Sequence, residues 1–506
     1  MSEQLPNQPQ RLADIPEQMR VRREKLARMR QRGVDPYPLG FPRTTTIADL
    51  RESHAGLGPG EHTGKRVGVT GRVMLSRLAG KLCFATLQDG AGDIQAMLSL
   101  DKIGEESLTA WKADVDLGDQ VGVEGEVITS RRGELSVLVE SWAITAKCLR
   151  PLPEKHKGLV DPEARVRQRY LDLIVNPQAR RMLYLRSDAI HSLRDSLTRR
   201  GFVEVETPML QPIHGGANAE PFATHINAYN MPLYLRIATE LYLKRLLVGG
   251  VEKVFEINRS FRNEGVDAIH NPEFTELEVY ETYGDYDTMQ RLTREIAQEA
   301  ACAMYGSTVI RRPGPDGAET EYDIGGQWHS MTVNEAISAA LGEEVTSHTE
   351  LERLRKLCDR AGVPYDPDWS AGQVVFEMYE RLVEERTVLP TFYRDFPKDI
   401  SPLARTHRAD SRLAEKWDLV AFGIELGTAY SELIDPLEQR ERLTAQSLLA
   451  AGGDAEAMQL DEDFLRALEY GMPPSGGMGM GVDRLIIVLT GKSIRDTILF
   501  PFVKPQ

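Results

Sequence analysis

The chain has 506 residues and a net charge of −15, with 41% hydrophobic residues and only four cysteines. That length supports two or three domains, each with a core of its own, and no apolar run is long enough to cross a bilayer. Cys83, Cys148, Cys302 and Cys358 form no CxxC pair, which argues against a disulfide framework or a structural zinc site and fits a reducing cytoplasm.

The opening MSEQLPNQPQ is polar and is not expected to be a signal peptide. An acidic chain is a poor nucleic-acid ligand on average, but the charge is unevenly spread. Arg20, Arg22, Arg23, Lys25, Arg28, Arg30 and Arg32 face the single acid Glu24, with Leu26 and Met29 at helical spacing. This predicts a basic helix that stops before Gly33, Pro36 and Pro38. Phosphate-backbone contact is weighed there against an ordinary solvated face. An arm over 1–64 is expected.

From 65 to 150 the pattern changes to short strands. Val67, Val69 and Val73; Leu82, Phe84 and Thr86; Val121 and Val123; and Leu135, Val137 and Val139 alternate, with turns at Gly80, Gly90, Gly92, Gly118 and Gly133. A five-stranded barrel of the OB type is predicted. The proline-bearing, charged stretch RPLPEKHKGLVDPEARVRQRYLDL reads as a linker over 151–175.

In the region from 176 to 506, Ile190, Leu193 and Leu197 predict a helix, and GFVEVETPML then alternates Val203 and Val205 with Glu204 and Glu206 up to Pro208. Next comes RNEGVDAIHNPEFTELEVY, Arg262 to Tyr280, inside an expected antiparallel hairpin. Before its loop Glu256, Asn258, Ser260 and Arg262 share one side; after it Phe274, Glu276, Glu278 and Tyr280 do. A guanidinium at the loop mouth with His270 inside it can clamp phosphate oxygens, and Phe274 can stack on a purine. A half-wet hairpin is the plainer alternative.

A helical insertion is expected at about 333–386, where Leu351, Leu354 and Leu357 recur, and no chemistry is assigned to it. KWDLVAFGIELGTAYSEL predicts two strands about Gly423, with Thr428, Tyr430 and Glu432 on one face. Finally GGMGMGVDRLIIVLTG places glycines before an apolar helix with Arg484 near its start. Gly491-Lys492-Ser493 is not a P-loop, because Ile486 stands where a glycine is required, and the glycines of 476–481 do not spell GxGxxG.

FRNE followed by HNPEFTELE resembles motif 2 of the class II aminoacyl-tRNA synthetases in its lysyl form. The segments ending at Pro208 and carrying Arg484 resemble motifs 1 and 3, in the expected order. The resemblance covers nearly the whole chain. It implies an α+β protein: an OB barrel reading the anticodon, then a catalytic domain with a mainly antiparallel sheet flanked by helices, dimeric through motif 1.

It also implies roles. Arg262 and Arg484 are the catalytic residues, and Glu264, His270, Asn271 and Phe274 join them in binding ATP. Gly216 and Glu240 hold the α-amino group of lysine, and Arg262 its carboxylate. Glu278, Tyr280, Thr428, Tyr430 and Glu432 complete the lysine site; an ammonium that leaves water needs such partners. Asp418 and Glu425 stand where the family binds magnesium, a cation that favours oxygen ligands. Arg77, Phe84, Gln95 and Glu134 are the anticodon candidates, with Phe84 as a barrel core residue the alternative.

The expected reaction is ATP-dependent attachment of lysine to tRNA(Lys). Aspartyl- and asparaginyl-tRNA synthetases share the plan, but their substrates would be poorly served by Glu278 and Glu432. Asp418, Thr428, Tyr430 and Glu220 depart from the usual bacterial pattern. The GTAYSEL variant is similar to the synthetase half of bifunctional lysylphosphatidylglycerol synthases, without their membrane part. The alternatives are therefore a specialised enzyme that supplies lysyl-tRNA outside translation and a non-catalytic paralogue that binds tRNA.

Overall fold

A computed structural model describes residues 15–153, 158–314, 317–454 and 456–505. The polar opening segment and the EKHK of the expected linker lie outside the described residues. The chain divides into two compact units, Met1–Leu159 and Val160–Gln506.

The first unit begins with helices α1 (Glu17–Gln31) and α2 (Ile47–Ser53). Strands β1 (His62–Ala79), β2 (Leu82–Gln88) and β3 (Asp93–Ser99) follow, then helix α3 (Leu100–Asp114) and strands β4 (Gln120–Thr129) and β5 (Leu135–Ala146). The strands close into a barrel in the order β1-β2-β3-β5-β4. This is the expected OB architecture.

Two details differ from the sequence reading. The inward row of β2 is Cys83, Ala85 and Leu87, all fully buried, while Leu82, Phe84 and Thr86 face outward. Alternation gives the period of a strand but not its phase when both rows carry apolar residues. Helix α3 was not anticipated; its Trp111 packs edge-on against Trp142 at 5.0 Å.

The basic segment is helical, as expected, but it is part of this unit rather than a separate arm. Met29 of α1 and Ile47 and Leu50 of α2 belong to the barrel's own core. The Arg22 guanidinium donates to the carbonyls of Cys148 and Leu117, both at 2.9 Å, Lys25 pairs with Asp116 at 2.7 Å, and Arg32 with Asp114 at 2.5 Å. Those acids lie far along the chain, so a local charge count cannot find them. Arg20, Arg28 and Arg30 stay exposed.

Lys147 anchors the same corner from within. Its buried ammonium lies 2.6 Å from Asp116, 2.7 Å from Asp119 and 2.7 Å from the Asp114 carbonyl. Removing one partner of a buried pair strands the other charge, so Lys147→Met should destabilise this unit by about 3–5 kcal/mol. Denaturant unfolding followed on the two tryptophans checks this; a loss under 1 kcal/mol would contradict it.

The second unit opens with helices α4 (Pro162–Arg167) and α5 (Arg169–Val175). These residues were expected in the linker, yet Arg169 is buried and donates to the carbonyls of Leu499 at 2.9 Å and Arg495 at 2.6 Å. Their partners lie more than 300 residues away. Helix α6 (Pro177–Arg199) leads to the short strands β6 (Val203–Glu204), β7 (Leu210–Gln211), β8 (Ala223–Ile226) and β9 (Met231–Leu235), then to helix α7 (Glu240–Val248). Only Val203 and Glu204 of the anticipated alternating strand pair in the sheet, and both are exposed.

The hairpin β10 (Lys253–Phe261) and β11 (Glu273–Thr282) precedes helix α8 (Tyr286–Tyr305), strands β12 (Val309–Pro313), β13 (Glu319–Asp323) and β14 (His329–Thr332), and the helices α9 (Val333–Leu341), α10 (Leu351–Ala361) and α11 (Ala371–Leu382). These last three, with a short turn at Glu384–Arg386, occupy the span of the expected insertion and bury a core of their own. Strands β15 (Thr391–Pro397), β16 (Leu413–Ala421) and β17 (Ile424–Ser431), helices α12 (Pro436–Ala451) and α13 (Glu462–Glu469), strand β18 (Ser475–Gly481) and helices α14 (Val482–Thr490) and α15 (Ile494–Thr497) complete the unit.

The large sheet runs β14-β15-β16-β17-β18-β11-β10-β6, antiparallel except at its two outer pairs. Leu277, Val279, Ala429, Met478 and Met480 point to one face, where Leu193, Ile296 and Ile486 from α6, α8 and α14 meet them. The opposite face of the central strands carries the polar residues.

Candidate active site

Strand alternation builds this site. As Leu277 and Val279 enter the core, Phe274, Glu276, Glu278 and Tyr280 of β11 turn the other way into a cavity of about 360 Å³. On β18 the alternation is glycine against methionine: Met478 and Met480 fill the core while Gly477, Gly479 and Gly481 line the cavity. The glycines expected to bring a backbone close to a ligand thus lie on a central strand. A Cβ at Gly477 would run into Glu432 Oε1 and the Tyr280 ring.

The cavity wall brings together Gly216, Glu240, Arg262, Glu264, His270, Asn271, Phe274, Glu278, Tyr280, Glu425, Thr428, Tyr430 and Arg484. Asp418 and Glu432 are buried beside it and are not part of the wall. Gly216 has φ +90, and a Cβ there would press on Ala238 and Glu240 at 3.1 Å, so its place needs glycine.

One end of the cavity is cationic. Arg262 lies 5.0 Å above the Phe274 ring, and its buried Nε has no hydrogen-bond partner among the described residues. Arg484 donates to the Glu425 carbonyl at 2.9 Å and reaches His270 Nε2 at 3.0 Å. Asp267 holds His270 Nδ1 at 2.7 Å, so the imidazole that accepts from Arg484 is the tautomer with its proton on Nδ1. Asn271 donates to the Glu273 carbonyl at 2.6 Å, and Glu264 is exposed at the rim.

Asp483, which the sequence reading passed over, fixes the start of α14. Its carboxylate takes Arg186 at 2.5 Å and the Thr275 amide at 2.7 Å, tying Arg484's helix to β11. An aspartate beside the motif arginine was the available signal. Arg236 is a second omission: buried, it pairs with Glu256 at 2.8 Å. The polar row of β10 is therefore sealed by partners of its own, with Ser260 donating to Asn258 at 2.8 Å, and does not face solvent.

The other end is anionic. Glu278 accepts from the Thr239 amide at 2.7 Å and from the Tyr280 hydroxyl at 3.0 Å. Burial, reinforced by Glu276 and Glu240, pushes Glu278 up to about 8. Burial raises Glu432 to about 8 as well, against the pull of Lys244. Glu240 and Glu276 are raised too, by burial first. Tyr280 and Tyr430, buried among these acids, are held well above the ordinary phenol range. Such a pocket gains from any cation that enters it.

Asp418 stands opposite Thr428 across the β16–β17 pair. Its buried Oδ1 makes no hydrogen bond, and the nearest cation is Lys416 at 3.3 Å. Burial lifts Asp418 to about 6, with Glu425 adding to the rise. No set of three or more His, Cys, Asp or Glu side chains converges on a metal position among the described residues. Magnesium commonly takes one or two carboxylates and completes its shell with phosphates and water, so a buried Asp418 oxygen with no hydrogen bond among the described residues, beside cavity-lining Glu425, fits it. The insertion also brings Glu384 here, pushed up to about 8 by burial and by Glu425 and Asp418.

In the first unit, Arg77, Phe84 and Gln95 lie on one outward surface of the barrel. Phe84 pairs with Arg77 and Met97, and Thr86 with Gln95. Gln95 accepts from Ser136 at 3.2 Å, and exposed Glu134 lies 3.4 Å from Arg51. Phe84 is not a core residue.

A barrel with an outward aromatic, followed by an antiparallel sheet carrying an arginine-bearing hairpin and a glycine strand, defines a class. The chain belongs to the class II tRNA synthetases of the D, K and N group, whose family matches residues 161–504. An OB-fold nucleic acid binding domain matches 67–145. The chain is 56% identical over 491 residues to the lysylphosphatidylglycerol biosynthesis bifunctional protein LysX of Rhodococcus jostii (strain RHA1), covering 97% of this chain and 43% of that protein. The protein of the same name from Nocardia farcinica (strain IFM 10152) is also 56% identical over 491 residues, with the same coverage. That of Mycolicibacterium gilvum (strain PYR-GCK) is 55% identical over 492 residues, 97% of this chain and 44% of the relative. The chain thus spans less than half the length of these relatives. No helix among the described residues is long and apolar enough to cross a membrane.

Proposed function

We propose that the second unit activates L-lysine with ATP and transfers it to the 3′ end of tRNA(Lys). The observation that carries this reading is the anionic end of the cavity, where Glu240 and Glu278 line the wall with Glu432 buried beside them, and where Lys244 pairs with Glu240 and Glu432 but leaves Glu278 without a cation. Aspartate or asparagine would bring no cation on its side chain to that end.

In the first step the lysine carboxylate attacks the α-phosphorus of ATP in line with the departing pyrophosphate. Arg262 orients the carboxylate and, with Arg484, carries the charge that builds on phosphate oxygens; His270 holds the Arg484 guanidinium in place, and Phe274 offers its ring to the adenine. Magnesium, held by Asp418 and Glu425, would neutralise charge on the polyphosphate. In the second step the ribose hydroxyl of tRNA attacks the carbonyl of lysyl-adenylate, and no protein nucleophile is required. Arg77, Phe84, Gln95 and Glu134 are the groups proposed to read the anticodon, by stacking and edge hydrogen bonds.

A homodimer is part of this reading. Val203, Met209 and Leu210 of motif 1 are 48–54% exposed, an apolar strip that a second copy would cover. The four free cysteines support a cytoplasmic setting. Incubation with ATP, magnesium, labelled lysine and tRNA tests the function: lysine should become acid-precipitable with tRNA(Lys), and no transfer to any tRNA would overturn it.

The names of the relatives favour a second reading of the product's fate. The chain is proposed to be a specialised synthetase whose lysyl-tRNA serves a step outside translation, and Asp418, Thr428 and Tyr430 are the altered site residues. Charging of tRNA(Lys) as efficient as that of a housekeeping enzyme would count against it.

The carboxylates give the reaction a pH signature. Glu278, raised to about 8, is protonated at neutral pH and must lose that proton to meet an ammonium. The KM for lysine should therefore fall as pH rises from 6 to 8, by up to roughly tenfold per unit, and rise again at higher pH as first the α-ammonium of free lysine and then its side chain, with a pKa of about 10.4, lose their protons. A KM that is flat from pH 6 to 8 would contradict this account.

A further inference from the structure

Lys244 is fully buried on α7, yet it carries a charge. Its Nζ lies 2.5 Å from Glu240 Oε1, one turn earlier on the same helix, and 2.5 Å from Glu432 Oε2, at the end of β17. Burial alone would strip its proton; the two carboxylates instead hold it above the ordinary lysine range. Leu241, Leu243, Leu247, Leu443 and Leu465 pack around this part of the unit, and the Lys244 and Glu432 side chains are both fully buried.

The groups facing Glu432 and Glu240 come from three further elements. Glu278 and Tyr280 stand on β11 and Tyr430 on β17, while β18 presents only glycine, at Gly477. Glu276 on β11 also faces this group, but Arg262 draws it towards the other end; Glu240, Glu278 and Glu432 against one ammonium leave two uncompensated negative charges. The free amino acid lysine brings two ammonium groups.

Resting on the lysine reading above, we propose that Lys244 is a positioning residue for amino-acid binding. It is a resident cation that locks Glu240 to Glu432 and sets the charge still open in the pocket to what the two ammonium groups of lysine supply. Glu240 then meets the α-amino group from a fixed rotamer. Without Lys244 the third carboxylate would take a proton from water, and that proton would have to leave before lysine could bind tightly.

The test is lysine-dependent ATP–pyrophosphate exchange between pH 6.5 and 9.5 for the wild type, Lys244→Met and Lys244→Arg, with the fold of each checked by circular dichroism. For Lys244→Met the lysine KM should be about tenfold or more above wild type at pH 7, and the gap should narrow as pH rises through a further unit or two. Its kcat at saturating lysine should stay within a few-fold of wild type. Lys244→Arg, which keeps the charge, should restore the wild-type pH profile. A Lys244→Met KM raised by the same factor at every pH, or an arginine variant no closer to wild type than methionine, would overturn the proposal. Should Lys244→Met not fold, Lys244→Gln takes its place; failure of both neutral variants to fold would assign Lys244 to stability alone and overturn it too. Absence of lysine-dependent exchange in the wild type would overturn the substrate reading itself, a result distinct from all of these.

Discussion

Replacing Glu278 by glutamine should raise the KM for lysine about 10²-fold, the size expected when one partner of a desolvated charge pair loses its charge. The kcat at saturating lysine should change only a few-fold, since the side-chain ammonium is equally bound before and during adenylate formation. Glutamine keeps the shape and can still accept from the Thr239 amide or the Tyr280 hydroxyl, so the fold should be preserved. Steady-state exchange kinetics at pH 8, where the wild-type carboxylate is at least half ionised, check this. An unchanged KM would remove Glu278 from the amino-acid site.

The second large effect is expected at Arg262. Its alanine variant should lose about 10²–10³-fold in kcat for exchange, the magnitude seen when a preorganised donor to developing charge is removed. The structure gives two reasons. Arg262 Nε is withdrawn from water with no hydrogen-bond partner among the described residues, and the guanidinium rests 5.0 Å above Phe274, which helps hold it in place. Lysine is the instructive control, because it keeps the charge but not the planar fork. It should recover only part of the loss. A kcat within threefold of wild type for the alanine variant would contradict the role.

What the sequence disclosed about this fold is what period and local chemistry encode. The alternation of Glu276 and Glu278 with Leu277 and Val279 placed both acids on one face, and the structure puts that face in the cavity. The OB strands, the basic helix and the helices of the insertion were legible for the same reason. Where two rows are similarly apolar, period does not set phase, and so Leu82, Phe84 and Thr86 were read as the alternating row while Cys83, Ala85 and Leu87 form the core.

Long-range pairing was the hidden part. Arg22, Lys25 and Arg32 looked like a free basic face until Asp114, Asp116 and the carbonyl of Cys148 came up beside them. Arg169 looked like a linker residue until Leu499 returned to meet it. In the site, Lys244 drew no expectation from the sequence. Its significance depends on Glu432, which lies on a different strand and is brought near only by the closure of the sheet. Gly477 and Gly479 were expected to allow close backbone approach, but the strand they lie on was not anticipated, since alternation of glycine with methionine carries little strand signal.

The most direct measurement is ATP–pyrophosphate exchange without tRNA, with lysine, ornithine, arginine and aspartate compared on properly folded protein. Exchange that depends on lysine and is weak or absent with the other three is the predicted result, because the cavity pairs an arginine end, proposed to take the phosphates, with a carboxylate end proposed to select a side-chain ammonium by reach. No exchange with any amino acid would contradict the account and favour a non-catalytic paralogue that binds tRNA.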